Sequence, residues 1–223
     1  MSPELLQSQH AYIRWLESTT SSFFLLYGQT IPEARLDGLS TTYSWLSPAT
    51  SYVAQAHLKD GKSLLAYYCC HPDVRAKERH SFLVLSALIY QLLSQKSAVL
   101  RRKKQEYLNL SRHSLEQRNS DSLKGMMELL RDVLIEVATF EDIETTYIVI
   151  DRVDQCSSTL KVLDELALLV VEPNCKVKIM ATCDTSFSES WDFSGLELKL
   201  NASKLDILSQ RVYTKGPWTP QMV

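Results

Sequence analysis

The sequence predicts a three-layer α/β domain: a mostly parallel sheet of about five strands with helices on both faces. Two observations carry this. Phe23-Phe24-Leu25-Leu26-Tyr27 and Tyr147-Ile148-Val149-Ile150 are continuously apolar, as strands buried on both faces are. Long stretches of helical period separate the strand candidates, the alternation that a parallel sheet requires.

Residues 4–18 read as one amphipathic helix with Leu5, Tyr12, Ile13 and Leu16 on one side. The FFLLY strand ends at Gly28, where a sharp turn is expected. Residues 29–50 carry prolines, glycines and many Ser and Thr, so they read as a loop with at most one helix, near 41–46. Residues 63–70 (SLLAYYCC) are a second strand, and 71–80 a polar loop. Phe82, Leu85, Leu88, Ile89, Leu92 and Leu93 then share one helical face. The basic run at 101–104 lies on the next helical stretch and reads as a solvated face. Asp121-Ser122-Leu123 opens another helix. The YIVI strand ends on Asp151, a strongly apolar helix covers 160–171, and 176–182 form a fourth strand. A weak fifth strand is expected at 196–200. The expected layout is a leading helix in 1–20, a core over 21–202 and a tail over 203–223.

Composition excludes several classes. Of 223 residues, 45% are hydrophobic and 22% charged, as in ordinary globular proteins. A net charge of −2 gives no electrostatic reason to expect nucleic acid as partner. No apolar run reaches the roughly 18–20 residues of a membrane span, and the first residues lack the pattern of a signal peptide. Cys69, Cys70, Cys156, Cys175 and Cys183 are odd in number and have no metal-ligand spacing, so reduced cysteines are expected. His10, His57, His71, His80 and His113 are scattered and point to no site.

The stretch richest in chemistry is Tyr147-Ile148-Val149-Ile150-Asp151-Arg152-Val153-Asp154-Gln155-Cys156. A buried strand running into Asp, with a second Asp three positions on, is the Walker B pattern, whose first Asp holds the Mg2+ of a bound nucleotide. Its surroundings resemble the NACHT-like, STAND-class P-loop NTPase module of fungal NOD-like receptor type. In that family an RWL helix leads into the first strand; here Arg14-Trp15-Leu16 leads into FFLLYG. A family strand of LAYFFC type precedes a helix of LRGLIYQLL type; here Leu65-Ala66-Tyr67-Tyr68-Cys69-Cys70 precedes Leu85-Ser86-Ala87-Leu88-Ile89-Tyr90-Gln91-Leu92-Leu93. The family's IDALDEC matches Ile150 to Cys156, and its strand ending TSR matches KIMATCD at 178–184. The resemblance implies a P-loop NTPase-like fold, a cytoplasmic location and signalling or heterokaryon-incompatibility-type biology. It also implies nucleotide contacts at Gly28, Asp151 and Asp154, with Asp151 as the metal ligand.

The departures decide the expected activity. A P-loop needs G-x-x-x-x-G-K-[ST] between a strand and a helix. After Gly28 the three key positions hold Glu33, Ala34 and Arg35, which removes the lysine and adds a negative charge. Gln155 replaces the glutamate that activates water, and Cys183-Asp184 replace the Ser-Arg sensor pair. Gly61-Lys62-Ser63 imitates a P-loop, but the apolar run after it reads as strand. The expected function is a non-catalytic pseudo-NTPase interaction or signalling module with a protein partner or self-association, no nucleic acid and no membrane. No cofactor is expected beyond weak Mg2+ or Mg-ATP. The alternative is a nucleotide switch or slow ATPase that binds Mg-ATP through Asp151 and Asp154.

Overall fold

Five short runs of apolar residues become strands, and all pair in parallel. A computed structural model of the chain describes residues 3–28, 47–58, 61–70, 80–116, 120–155, 159–184 and 205–210. The strands are β1 (Ser22–Gly28), β2 (Ser63–Cys69), β3 (Thr145–Asp151), β4 (Val177–Asp184) and β5 (Leu205–Gln210). Their order across the sheet is β2-β3-β4-β1-β5. The FFLLY and YIVI strands are therefore both interior and separated by one strand, as their unbroken apolar character demands.

Alternate residues on each strand feed two cores. On one face Phe23, Leu25, Ala66, Ile148, Ile150 and Ile179 meet α4 (His80–Gln95), α5 (Ser97–Glu116), α6 (Ser120–Val137) and α7 (Thr159–Val171). On the other, Phe24, Leu26, Leu65, Tyr147, Val149 and Met180 meet α1 (Pro3–Gln7), α2 (His10–Glu17) and α3 (Ser47–Leu58). Helices thus cover both faces, giving three layers. Among the described residues no helix is long and apolar enough to cross a membrane.

The structure corrects one detail and adds two elements. The single helix expected over 4–18 is two, α1 and α2. The Gln9 backbone is extended, and the Ser8 hydroxyl and Gln9 amide both donate to the Leu5 carbonyl, at 2.8 and 3.2 Å. These side chains satisfy a helix end that would otherwise continue. The helix before β2 is α3, while 41–46 lies outside the described residues. Its buried residues are the small Ala49, Thr50, Val53 and Ala54, which leave a faint helical period in the sequence. The fifth strand is β5, inside the stretch read as tail, and it pairs with β1 from Phe23↔Leu205 to Gly28↔Gln210. Residues 196–200 lie outside the described residues.

Polar side chains finish the edges. β2 is an edge strand, and α4 lies along it. Gln91 accepts from the Tyr67 N–H and donates to the Tyr67 carbonyl, both at 2.9 Å. One turn on, Gln95 does the same for Leu65, at 3.1 and 2.7 Å. The i,i+4 spacing matches the two-residue repeat of the strand's outward backbone groups. The basic run at 101–104 is only partly a solvated face. Arg102 pairs with Glu136, and Lys103 pairs with Asp132 at 3.0 Å, so both tie α5 to α6.

Candidate functional site

In a parallel sheet the residues that end neighbouring strands meet at one edge. Here β2, β3 and β4 bring Tyr67, Cys69, Asp151 and Thr182 together. Cys69 and Asp151 are register partners, and Asp151 is fully buried. A buried carboxylate requires hydrogen-bond donors. The Thr182 hydroxyl donates to Asp151 Oδ1 at 2.6 Å and accepts from the Arg152 N–H at 3.0 Å. Because that oxygen accepts from the backbone, its own proton is directed to the carboxylate. The Cys69 thiol donates to Asp151 Oδ2 at 3.6 Å. The Cys70 N–H donates to the Asp151 carbonyl at 2.9 Å, which locks the end of β2 to the end of β3.

The electrostatics agree with this arrangement. Burial pushes the Cys69 thiol up to about 11, with the Asp151 charge adding to it, so the thiol stays protonated and remains a donor. Tyr67 is raised further, by burial first and then by Asp151 and Cys69. Its phenol is hydrogen-bonded by the side chains of Thr50 and Ser51 in the first turn of α3. The network thus spans α3, β2, β3 and β4. Arg152 follows Asp151 in the left-handed region, at φ 59°, and is nearly buried. That conformation costs a non-glycine residue roughly 1–2 kcal/mol. The Arg152 charge acts on Cys69 and opposes the rise of its thiol.

The other expected residues fall as follows. Gly28 ends β1 in register with Asp184, at the same edge of the sheet. Asp154 and Gln155 form a 3-10 turn after β3, and the Gln155 amide donates to Asp154 Oδ2. Glu33, Ala34, Arg35 and Cys156 lie outside the described residues, as does the side chain of Asp184. The helix described after β1 opens with Ser47-Pro48-Ala49-Thr50, a first turn with neither glycine nor cation. Thr50, Tyr67, Cys69 and Thr182 were missed in the sequence. Cys69 and Thr182 stand near the ends of apolar runs, a mark many strand residues share, and Tyr67 lies in the middle of one. Thr50 carries no such mark.

Gly61-Lys62-Ser63 enters a strand. Gly61 is left-handed, at φ 68°, Ser63 begins β2, and Lys62 pairs with Glu144 at 2.8 Å. Both partners are largely exposed, so Lys62→Ala is expected to change stability by less than about 1 kcal/mol in urea denaturation. It is expected to leave any nucleotide affinity unchanged in calorimetry.

Residues 47–183, more than half of the chain, match the family described as Nephrocystin 3, N-terminal. No curated protein matches the chain. Among solved structures it is similar to a chain of Drosophila ORC bound to AT-rich DNA and Cdc6, at 12% identity and a TM-score of 0.47. That match covers 95% of this chain and 57% of the other. A chain of Drosophila ORC bound to DNA matches at 12% identity and a TM-score of 0.45, over 98% of this chain and 97% of that one. Likenesses at that level carry no functional implication. The parallel sheet, its two covered faces and the match over residues 47–183 give one result: the chain belongs to the Nephrocystin 3 N-terminal family and is a NACHT-like domain of P-loop type.

Proposed function

We propose that this chain is a P-loop-type core whose nucleotide site is closed by its own side chains, and that it acts by binding protein. The observation that carries this reading is the state of Asp151. The carboxylate that would hold Mg2+ is buried and takes hydrogen bonds from Thr182 and Cys69 on both oxygens. A metal would have to displace a buried, charge-assisted bond of the kind worth about 1.5–3 kcal/mol. The opening of α3 supports the same reading. Ser47-Pro48-Ala49-Thr50 has no lysine for a phosphate, and proline contributes no N–H to a phosphate cradle. Gln155 is bonded to Asp154 and has no carboxylate with which to take a proton from water. On these grounds Mg-ATP does not fit the residues present.

The competing reading is a nucleotide switch or slow ATPase. It is favoured by the place of Asp151 at the carboxyl end of an interior strand, where P-loop proteins hold their metal. One experiment separates the two. Calorimetry with Mg-ATP and Mg-ADP, together with a phosphate-release assay, is expected to show no saturable heat below about 1 mM and no turnover. A micromolar dissociation constant that Asp151→Ala abolishes would establish the switch instead. A protein partner, including a second copy of the chain, is then to be sought by crosslinking the chain in its native extract.

A further inference from the structure

α5 packs on α4 and α6, and its remaining face is turned to solvent. Over residues 97–112 it carries Arg101, Arg102, Lys103, Lys104 and Arg112 against one acid, Glu106, in a chain whose net charge is −2. The helix sorts these cations into two sets. Arg102 and Lys103 face α6 and pair with Glu136 and Asp132, and Lys103 also holds Glu106. Arg101, Lys104 and Arg112 are exposed and have no acidic partner among the described residues.

Arg101 and Lys104 add nothing to the helix itself. An exposed helix face is steadied by opposite charges three or four positions apart. Three positions from Arg101 stands the like charge of Lys104, and four positions beyond each stand Gln105 and Leu108. Arg101 and Arg112 share one face, about 16 Å apart along the axis. Leu108 lies between them, half-buried, and joins neither hydrophobic core. One turn past Lys104, Tyr107 meets Tyr90 of α4 with ring centres 6.4 Å apart, and Tyr90 is 58% exposed. Arginine, tyrosine and an apolar side chain on one strip are the composition of an interface rather than of a solvated face.

We propose that this outward face of α5 docks an acidic segment of a partner protein, with carboxylates on Arg101, Lys104 and Arg112 and an apolar side chain on Leu108 and Tyr90. The proposal rests on the protein-binding reading above and gives it a surface and a partner chemistry. The strip selects a narrow ligand. On the α6 side it is bordered by Glu106 and Asp132, both about half exposed. Their charges would repel a broad anionic surface such as a lipid bilayer. A peptide laid along α5 meets the cations and avoids these acids.

The probe is a fluorescently labelled peptide of Glu-Glu-Leu repeats, titrated into the full chain and read by anisotropy. Binding is expected to saturate below about 1 mM and to weaken as salt rises. Arg101→Glu combined with Lys104→Glu is expected to weaken it about ten-fold or more. Lys104→Glu alone turns a like-charged pair into an opposite one, so its urea midpoint is expected to hold or rise while binding falls. That separates lost docking from lost folding. Lys103→Gln, which removes a cation already engaged with Asp132, is expected to leave binding within about two-fold. No saturable binding, or binding indifferent to the double reversal, overturns the proposal. Equal affinity for phosphatidylserine vesicles or for a single-stranded RNA overturns it as well, since the face would then hold any polyanion. Each of these failures removes this surface and leaves the Asp151 site as described. Mg-ATP binding that depends on Asp151 would instead count against the closed nucleotide site and is read in a separate assay.

Discussion

Trp15→Ala is expected to cost about 3–5 kcal/mol, read as a lower midpoint in urea denaturation. Trp15 is fully buried and is the centre of the second core. Its ring lies 5.8 Å from Tyr12, 5.6 Å from Phe24 and 5.9 Å from Tyr147, so one side chain joins α2 to β1 and β3. Whole domains are stable by only about 5–15 kcal/mol, so the loss would leave this one near its threshold. A loss below about 1 kcal/mol would show that α2 does not pack on the sheet as described.

Thr182→Val is expected to cost about 2–4 kcal/mol, although valine has nearly the same shape as threonine. The hydroxyl serves two partners, the Asp151 carboxylate at 2.6 Å and the Arg152 N–H at 3.0 Å. Removing it leaves a buried charge short of a donor and a backbone N–H short of an acceptor. Thr182→Ser keeps the hydroxyl and is expected to stay within about 1.5 kcal/mol of the parent. A larger loss for serine than for valine would mean that packing of the methyl group, which valine keeps, rather than the network, sets the cost. A Thr182→Val protein that gained affinity for Mg2+ in calorimetry would show that the threonine hydroxyl holds the metal site shut.

The fold was legible wherever apolar pattern decides it. FFLLY and YIVI read as interior strands because residues buried on both faces cannot alternate with polar ones. α3 was not legible, because Ala49, Thr50 and Ala54 are small enough to pack against the sheet without marking a hydrophobic stripe. β5 was not legible because LDILSQ carries polar residues at half of its positions, and LELKL a few residues earlier is the more apolar run. At the site, Asp151 stood out because a charge at the end of an apolar strand is conspicuous. Its partners did not. Thr182 and Cys69 are ordinary strand residues whose role follows from sheet order, and sheet order brings β2, β3 and β4 together from positions far apart in the chain.

The glutamine pair on α4 also constrains assembly. A parallel sheet has two open edges through which copies could add strands and run on as a fibre. Here one edge is closed by Gln91 and Gln95, which occupy the N–H and carbonyl groups of Leu65 and Tyr67. Among the described residues, the β5 edge is the one left for strand addition. Two copies that meet through the same edge do so about a twofold axis, and each then has no second edge to offer. Sheet-to-sheet association through the edges of the described strands would therefore end at the dimer.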